Sequence, residues 1–220
     1  KAKELGSPAY KVIQAGAKGL GNNKDGIDFS LEDDYYGDTR FHIPFIAWYQ
    51  VMNASLALTT MEVLKDRIPV TMEQLQAGIA NTRWQGRMET ILPGVIVDGA
   101  HNEDGVRRFV ETAERFQKEY PLTLLFSAVN DKDYQDMIHT ICSRIKFRKV
   151  VTTEVGGYRE VPSAELAEIF CKEGCKDVGN SDNIEEAFHM AHEAKGEDGM
   201  LFCVGSLYLV GEIKTLLLKK

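Results

Sequence analysis

The sequence has 220 residues, of which 44% are hydrophobic and 27% are charged. That length accommodates one large domain, or one domain and part of a second, because domains usually contain ~100–200 residues. The 33 acidic residues outnumber the 26 Lys and Arg residues and give a net charge of −7, which argues against nucleic acid as a partner. No run of apolar residues approaches the ~20 that a membrane-spanning helix needs, and the first residues do not resemble a signal peptide. A soluble cytoplasmic protein is therefore expected.

The four cysteines form no Cys-x-x-Cys pair. A chain of this length needs no disulfide to fold, so the cysteines are interpreted as reduced thiols. Cys171 and Cys175 could share one helix face, as could His189 and His192, and either spacing would permit a pair of metal ligands. Because no matching second pair lies nearby, no metal site is predicted.

The first part of the chain is predicted to form a small β-meander followed by two helices. The predicted strands are Ala9–Gln14, Ile27–Leu31 and Thr39–Ile43. The glycines at 16, 19, 21 and 26 are interpreted as a turn-rich connection between the strands. The predicted helices are Ala47–Leu64, which ends before a proline, and a second helix that runs to about Asn81. Thr71 and Gln74 have the spacing of a capping box at the start of that second helix.

The rest of the chain alternates strands with helices, which predicts a doubly wound α/β fold with a mostly parallel, Rossmann-like sheet. Two of the strands are apolar throughout, as is typical of parallel strands covered on both faces. The predicted strands are Met88–Leu92, Val95–Val97, Leu122–Ser127, Lys149–Thr153 and Met200–Val204. The predicted helices are Asp104–Lys118, Tyr134–Ser143, Ser163–Cys171, Ile184–Ala194 and Leu207–Leu218. A domain boundary is predicted near Gln85, which divides the chain into residues 1–84 and 85–220.

Ligands of open α/β sheets bind beyond the carboxyl ends of the strands. There the sequence places the run Asp98-Gly99-Ala100-His101-Asn102, which precedes a helix. A carboxylate at Asp98 could accept hydrogen bonds from ribose hydroxyls, and the imidazole of His101 could donate to a nucleotide. The alternative is that Asp98 or Asn102 only caps the helix that follows.

Three further sites carry polar side chains. Arg87, beside a glycine between the two predicted domains, could hold phosphate oxygens, or it could be a solvated linker arginine. The turns Asp131-Lys132-Asp133 and Gly205-Ser206 could each cradle an anion, or they could simply cap helices. The sequence has no Gly-x-x-x-x-Gly-Lys-Ser/Thr phosphate loop and no Gly-x-Ser-x-Gly motif, so no catalytic residue is assigned.

Taken together, the motifs of the second part resemble the C-terminal part of the folylpolyglutamate synthase family, within the Mur ligase superfamily. These motifs are Arg87, Asp98-Gly99-Ala100-His101-Asn102, Asp131-Lys132-Asp133 and Gly205-Ser206-Leu207-Tyr208-Leu209. Residues 1–84 resemble the end of the family's central ATPase domain, where a helix carries Gln50-Val51-Met52-Asn53-Ala54. The family usually has a histidine at the position of Tyr49. The start at Lys1 without an initiator Met suggests a piece of a longer protein.

The resemblance implies an ATP-dependent ligase that phosphorylates a folate carboxylate and lets the amino group of L-glutamate attack the acyl phosphate. It implies ATP contacts from Asn53, Arg87 and Asp98, with Arg87 nearer the phosphates, Asp98 at the ribose and His101 beside the nucleotide. Ser206 and Lys132 are candidates for the glutamate side.

The resemblance also implies Mg²⁺, whose ligands, like the phosphate loop, are expected upstream of Lys1. This chain alone would then be inactive. ATP, L-glutamate and a reduced folate are the expected partners of a monomeric enzyme. The alternatives are a bifunctional dihydrofolate synthase/folylpolyglutamate synthase and a non-catalytic nucleotide-binding α/β module.

Overall fold

The computed structural model describes residues 1–12, 16–23, 26–157 and 159–218. These residues form two compact units, Lys1–Arg83 and Trp84–Lys220. Every helix within the described ranges is too short or too polar to cross a bilayer.

The first unit contains a three-stranded antiparallel sheet and two helices, as the sequence predicted. The strands are β1 (Ala17–Asn23), β2 (Gly26–Leu31) and β3 (Phe41–Ile43), and the helices are α1 (Tyr49–Val63) and α2 (Met72–Ala80). Its core includes Phe29, Phe41 and Leu58, each at most 1% exposed. The predicted capping box is confirmed, because the Thr71 hydroxyl accepts from the Gln74 N–H and the Thr71 N–H donates to the Gln74 side chain.

Two predictions for this unit were wrong. Residues 9–12 form no strand, and the rest of the predicted strand Ala9–Gln14 lies outside the described residues. The glycine-rich segment, predicted as a connection, largely forms β1. The reason lies at Gly19, where an added Cβ would come within 2.9 Å of the Trp48 ring. Bare backbone lets the indole lie directly against the strand, so glycine here serves packing rather than a turn.

The second unit contains a six-stranded sheet in the order β4-β5-β9-β6-β7-β8. Its strands are β4 (Glu89–Leu92), β5 (Val95–Asp98), β6 (Leu122–Phe126), β7 (Phe147–Thr152), β8 (Val178–Asn180) and β9 (Met200–Val204). Its helices are α3 (Glu103–Phe116), α4 (Tyr134–Arg144), α5 (Ser163–Lys172), α6 (Ile184–Lys195) and α7 (Leu207–Leu218). Only β4 pairs antiparallel, and the predicted α/β fold is confirmed. The sequence reading missed β8, a short strand with no fully buried residue.

Helices cover both faces of this sheet. Cys203 on β9 packs in one cluster with Ala191 of α6 and Leu209 of α7. Its neighbour Phe202 points to the opposite face, because side chains alternate along a strand, and meets Phe109 of α3 at a ring-centroid distance of 5.5 Å. Buried apolar surface on both sides explains why β9 is apolar throughout and why β6 is apolar at every position but Thr123.

The strand register brings the carboxyl ends of the parallel strands to one edge of the sheet. Val204 of β9 pairs with Asp98 of β5 on one side and with Phe126 of β6 on the other. Phe126 pairs in turn with Thr152 of β7, and Thr152 pairs with Asn180 of β8. These five residues therefore mark the same edge of the sheet. The chain leaves β5 and β6 toward α3 and α4, whereas it leaves β9 toward α7 on the opposite face. In open α/β sheets ligands bind in a crevice at such a switch point, so the region beside the carboxyl end of β9 is the expected ligand crevice.

Candidate functional site

Asp98 ends β5 as a buried carboxylate that is only 3% exposed. Its Oδ2 accepts from the Met88 N–H at 2.8 Å, and its Oδ1 accepts from the Ala100 N–H at 2.7 Å. Burial raises the pKa of Asp98 to about 6, against the lowering effects of these two N–H groups, Arg87 and His101. The carboxylate thus connects the segment before β4 to the turn after β5. In the segment before β4, Met88 has the unusual φ of +46°.

The alternative that Asp98 or Asn102 caps the following helix is confirmed for Asn102, whereas Asp98 does not cap it. Its Oδ1 accepts from the Gly105 N–H at 2.8 Å in the first turn of α3. Because Asn102 is engaged in capping, Asp98 and His101 are the side chains of this motif that remain as candidates for a ligand contact.

His101 is half-buried in this turn, with Nδ1 2.7 Å from the carbonyl oxygen of Gly99. Because a carbonyl oxygen only accepts, Nδ1 carries the proton, and Nε2 of the neutral ring is an acceptor. The sequence reading expected an imidazole that donates to a nucleotide. The geometry allows Nε2 to donate only when the ring is protonated.

Arg87 is half-buried, and its side chain forms no hydrogen bond or ion pair with any part of the chain that the structure describes. The backbone before it is fixed at Gly86, whose N–H donates to Glu89 at 2.7 Å and whose carbonyl accepts from Gly99 at 2.7 Å. Lys214 holds the same Glu89 carboxylate at 2.7 Å. The backbone next to Arg87 is therefore held in place, and the N–H groups of its guanidinium remain available to a ligand.

The turn between β9 and α7 depends on Gly205, which has a φ of +108°. An added Cβ there would lie 2.0 Å from the Ser127 carbonyl oxygen, so this turn passes directly against the end of β6. Ser206 is 2% exposed, and its Oγ accepts from the Tyr208 N–H at 3.1 Å. Ser206 therefore caps α7, and its hydroxyl hydrogen remains as a donor.

In the turn between β6 and α4, Asp133 caps the helix by accepting from the Asp136 N–H at 3.2 Å. Asp131 forms an ion pair with Arg159 at 3.2 Å. Lys132 is exposed, and its side chain forms no hydrogen bond or ion pair within the described residues. The acidic residues are therefore structural, and the lysine is the accessible cation of this turn.

Of the residues predicted for the site, Arg87, Asp98, His101, Lys132 and Ser206 belong to turns at one edge of the second unit. Asn53 lies in the first unit, exposed on α1, and its Nδ2 donates to Gln50 Oε1 at 2.7 Å.

The sequence reading missed Arg159 and Tyr208. Arg159 Nη2 donates to the Tyr208 hydroxyl at 2.9 Å, which joins the segment after β7 to the first turn of α7. No local pattern signals a pair 49 positions apart. It also missed Ser127 at the end of β6, whose buried Oγ has no hydrogen-bond partner within the described ranges.

The donor set does not fit a metal ion. No group of three or more His, Cys, Asp or Glu side chains among the described residues could hold one. The described residues therefore contain no cluster of side chains that could hold a metal ion without further ligands.

Comparison with protein families gives a match between residues 86–207 and the model described as "Mur ligase, glutamate ligase domain". The chain is also similar to the dihydrofolate synthase/folylpolyglutamate synthase of Bacillus subtilis, with 30% identity over 196 residues. That alignment covers 86% of this chain and 43% of the relative.

Solved structures have the same fold. A Mycobacterium tuberculosis folylpolyglutamate synthase, complexed with ADP and AMPPCP, superposes with a TM-score of 0.74 at 23% identity, covering 92% of this chain and 48% of that one. A bifunctional folylpolyglutamate synthase/dihydrofolate synthase from Yersinia pestis, complexed with AMPPNP and Mn, superposes with a TM-score of 0.73 at 18% identity. That superposition covers 98% of this chain and 49% of the Yersinia pestis chain. The chain thus spans about half the length of the proteins that it matches.

Proposed function

Because the chain belongs to the Mur ligase family and carries its glutamate ligase domain, we propose that it is part of an ATP-dependent enzyme that joins L-glutamate to a reduced folate. The observation that carries this proposal is the family match, which spans every candidate site residue of the second unit. The likeness to a curated dihydrofolate synthase/folylpolyglutamate synthase supports the folate branch of the family.

In the proposed reaction, a folate carboxylate attacks the γ-phosphorus of ATP, and ADP leaves. The amino group of L-glutamate then attacks the carbonyl carbon of the acyl phosphate, phosphate leaves, and an amide bond forms. Catalysis of this kind depends on positioning and on charge neutralisation around the phosphoryl group. Arg87 suits that role because its half-buried guanidinium forms no hydrogen bond or ion pair within the described residues, although the Asp98 carboxylate is near enough to act on it electrostatically.

Asp98 and His101 are proposed as ribose and nucleotide contacts. Both Asp98 oxygens already accept from backbone N–H groups, but each carboxylate oxygen has a further lone pair for a ribose hydroxyl. His101 would accept through Nε2, because Nδ1 is committed to Gly99. Asp98 therefore has two roles in this proposal, as the brace of the turn and as a ligand.

Lys132 and Ser206 are proposed to hold the incoming glutamate. A flexible exposed ammonium can attract a carboxylate of glutamate, and the remaining hydroxyl hydrogen of Ser206 can be donated to it. Both residues follow strands that flank the crevice beside β9.

We further propose that residues 1–84 are the end of a central ATP-binding domain, in which Asn53 contacts ATP, and that residues 85–220 are the ligase domain. The 220 residues contain no phosphate loop, and the described ones offer no metal site. The loop and the Mg²⁺ ligands would then lie in the part of the relatives that this chain does not cover. When bound, Mg²⁺ would neutralise charge on the phosphates. We expect the whole enzyme to be a cytoplasmic monomer.

The test uses the full-length gene product and the 220-residue chain side by side. Each is incubated with ATP, Mg²⁺, L-glutamate and tetrahydrofolate, and both ADP and the glutamylated folate are measured. The full-length protein should form both products only when folate and glutamate are present together, and the chain alone should form neither. Folate-independent ADP release by the full-length protein, or turnover by the chain alone, would refute the proposal.

A second candidate is an enzyme that also glutamylates dihydropteroate, which is favoured by the name of the Bacillus subtilis relative. Replacing tetrahydrofolate with dihydropteroate in the same assay separates the two activities. A muramyl precursor serves as the control for a peptidoglycan-type ligase. Tight ATP binding by the full-length protein without any amide product would instead indicate a non-catalytic nucleotide-binding module.

A further inference from the structure

Two of the free cysteines lie in direct contact, although they are far apart in sequence. Cys142 lies near the end of α4 and Cys175 lies between α5 and β8, with their Sγ atoms 3.7 Å apart. The sequence reading grouped Cys175 with Cys171, but Cys175 lies beyond the end of α5 and faces α4 instead. Both Cys142 and Cys175 are partly exposed, so a small solute can reach them.

The backbone that carries Cys175 is held in one conformation. α5 ends in a Schellman motif, in which the Cys175 N–H donates to the Phe170 carbonyl and the Gly174 N–H donates to the Cys171 carbonyl. Gly174 has the positive φ, +93°, that this motif requires. The Cys175 thiol is therefore presented to α4 from a fixed position rather than from a freely moving loop.

Two polar contacts already hold α4 against α5, and both lie N-terminal to the thiol pair along each helix. Tyr134 at the start of α4 donates to Glu165 at 2.7 Å, and His139 lies 2.9 Å from Glu173 at the end of α5. A disulfide needs an S–S distance of about 2.05 Å, so the two sulfurs must approach by less than the width of one atom. Side-chain rotation can provide much of that movement while the helices stay in place.

We propose that Cys142 and Cys175 are a site of reversible oxidation, at which a low-molecular-weight disulfide such as oxidised glutathione converts the two thiols into an intramolecular disulfide. The Cys175 thiolate attacks one sulfur of oxidised glutathione and releases one molecule of glutathione. The Cys142 sulfur then attacks Cys175 Sγ and releases the second. Two protons and two electrons pass to the glutathione, and one protein disulfide forms.

The direction of attack follows from the electrostatics of the pair. When the Cys142 thiol donates the hydrogen bond between the two sulfurs, it lowers the pKa of Cys175, against the raising effects of burial and of Glu173. The same hydrogen bond raises the pKa of Cys142, so Cys175 is the sulfur that more readily becomes a thiolate. Cys203 is fully buried, and Cys171 is exposed on α5. Neither thiol has a sulfur partner among the described residues.

The test treats the reduced 220-residue chain with oxidised glutathione, blocks the remaining thiols, and maps linked peptides by mass spectrometry. The expected result is a link between Cys142 and Cys175 and a melting temperature about 5–10 °C higher, both reversed by dithiothreitol. Cys142→Ser and Cys175→Ser should each lose the link and the shift, whereas the matched control Cys171→Ser should keep both.

Three results would overturn the proposal. They are a link that joins Cys171 to Cys175, a persistent glutathione adduct with no link between Cys142 and Cys175, and a linked protein that melts at the same temperature as the reduced one. Because the mapping uses the unaltered chain, it remains decisive even if a serine variant folds poorly.

Discussion

Replacing Gly205 with alanine tests whether the crevice beside β9 depends on the close approach of two backbone segments. The new Cβ would lie 2.0 Å from the Ser127 carbonyl oxygen and 2.8 Å from the Phe126 ring. The first of these atoms cannot simply rotate away, because it belongs to the backbone, and the Ser127 N–H is bonded to Val204 at 3.2 Å. The turn after β9 and the end of β6 must therefore separate.

Two costs add at this position. A residue with a Cβ loses ~1–2 kcal/mol in the left-handed region that Gly205 occupies, and inserting an extra carbon into a packed contact costs ~1–3 kcal/mol. Alanine also lowers the conformational entropy of the unfolded chain, which stabilises the folded state by ~0.4–1 kcal/mol and offsets part of these costs. We therefore expect Gly205→Ala to lower the free energy of unfolding of the second unit by about 2–4 kcal/mol.

The assay is urea unfolding of the 220-residue chain, followed by far-ultraviolet circular dichroism. Gly211→Ala is the matched control, because Gly211 lies within α7 and an added Cβ there meets nothing within 4 Å. The control should gain ~0.5–1 kcal/mol, since alanine is the better helix former. A Gly205→Ala protein within about 1 kcal/mol of wild type would refute the reasoning.

Three other predictions concern single side chains. The raised pKa of Asp98 means that the folded state binds its proton more tightly than the unfolded state, so stability falls as pH rises from about 4 to about 6. Wild type should therefore lose ~2–3 kcal/mol more than Asp98→Asn over that window in urea titrations at each pH, and parallel curves would contradict this. Arg87→Ala in the full-length enzyme should raise KM for ATP at least about tenfold, with partial retention in Arg87→Lys, and equal kinetics in all three proteins would exclude the phosphate contact. Thr71→Ala should cost the first unit about 1 kcal/mol in thermal unfolding, whereas the exposed Thr60→Ala should cost less.

Much of the fold could be predicted because its signals are local. The capping box at Thr71 and Gln74 needs only four consecutive residues, and the apolar runs of β6 and β9 directly reflect burial on both faces. β1 could not be recognised, because Gly19 serves a contact with Trp48 that exists only after folding. β8 was missed because three residues at a sheet edge carry little hydrophobic pattern.

The sequence predicted that the candidate residues follow strand ends, but it did not predict their contacts. Strand ends are visible in sequence, so the turns that carry Asp98, Lys132 and Ser206 could be identified. The Met88 N–H donates to Asp98, and Asp131 forms an ion pair with Arg159. Each contact joins two segments of the chain that no local pattern could predict to lie close together. The contact between Cys142 and Cys175 belongs to the same class.

The position of β9 in the sheet has a consequence for how the chain folds. β9 is the last strand in sequence, yet it lies between β5 and β6. During synthesis, β5 with β4 and β6 with β7 and β8 can form only as separate pieces, each with an open edge of unpaired N–H and C=O groups. Closing the sheet requires contacts distant in sequence, which makes folding slow and leaves both edges open to wrong partners until Met200–Val204 arrives. The formation of β9 thus decides whether the two pieces become one sheet.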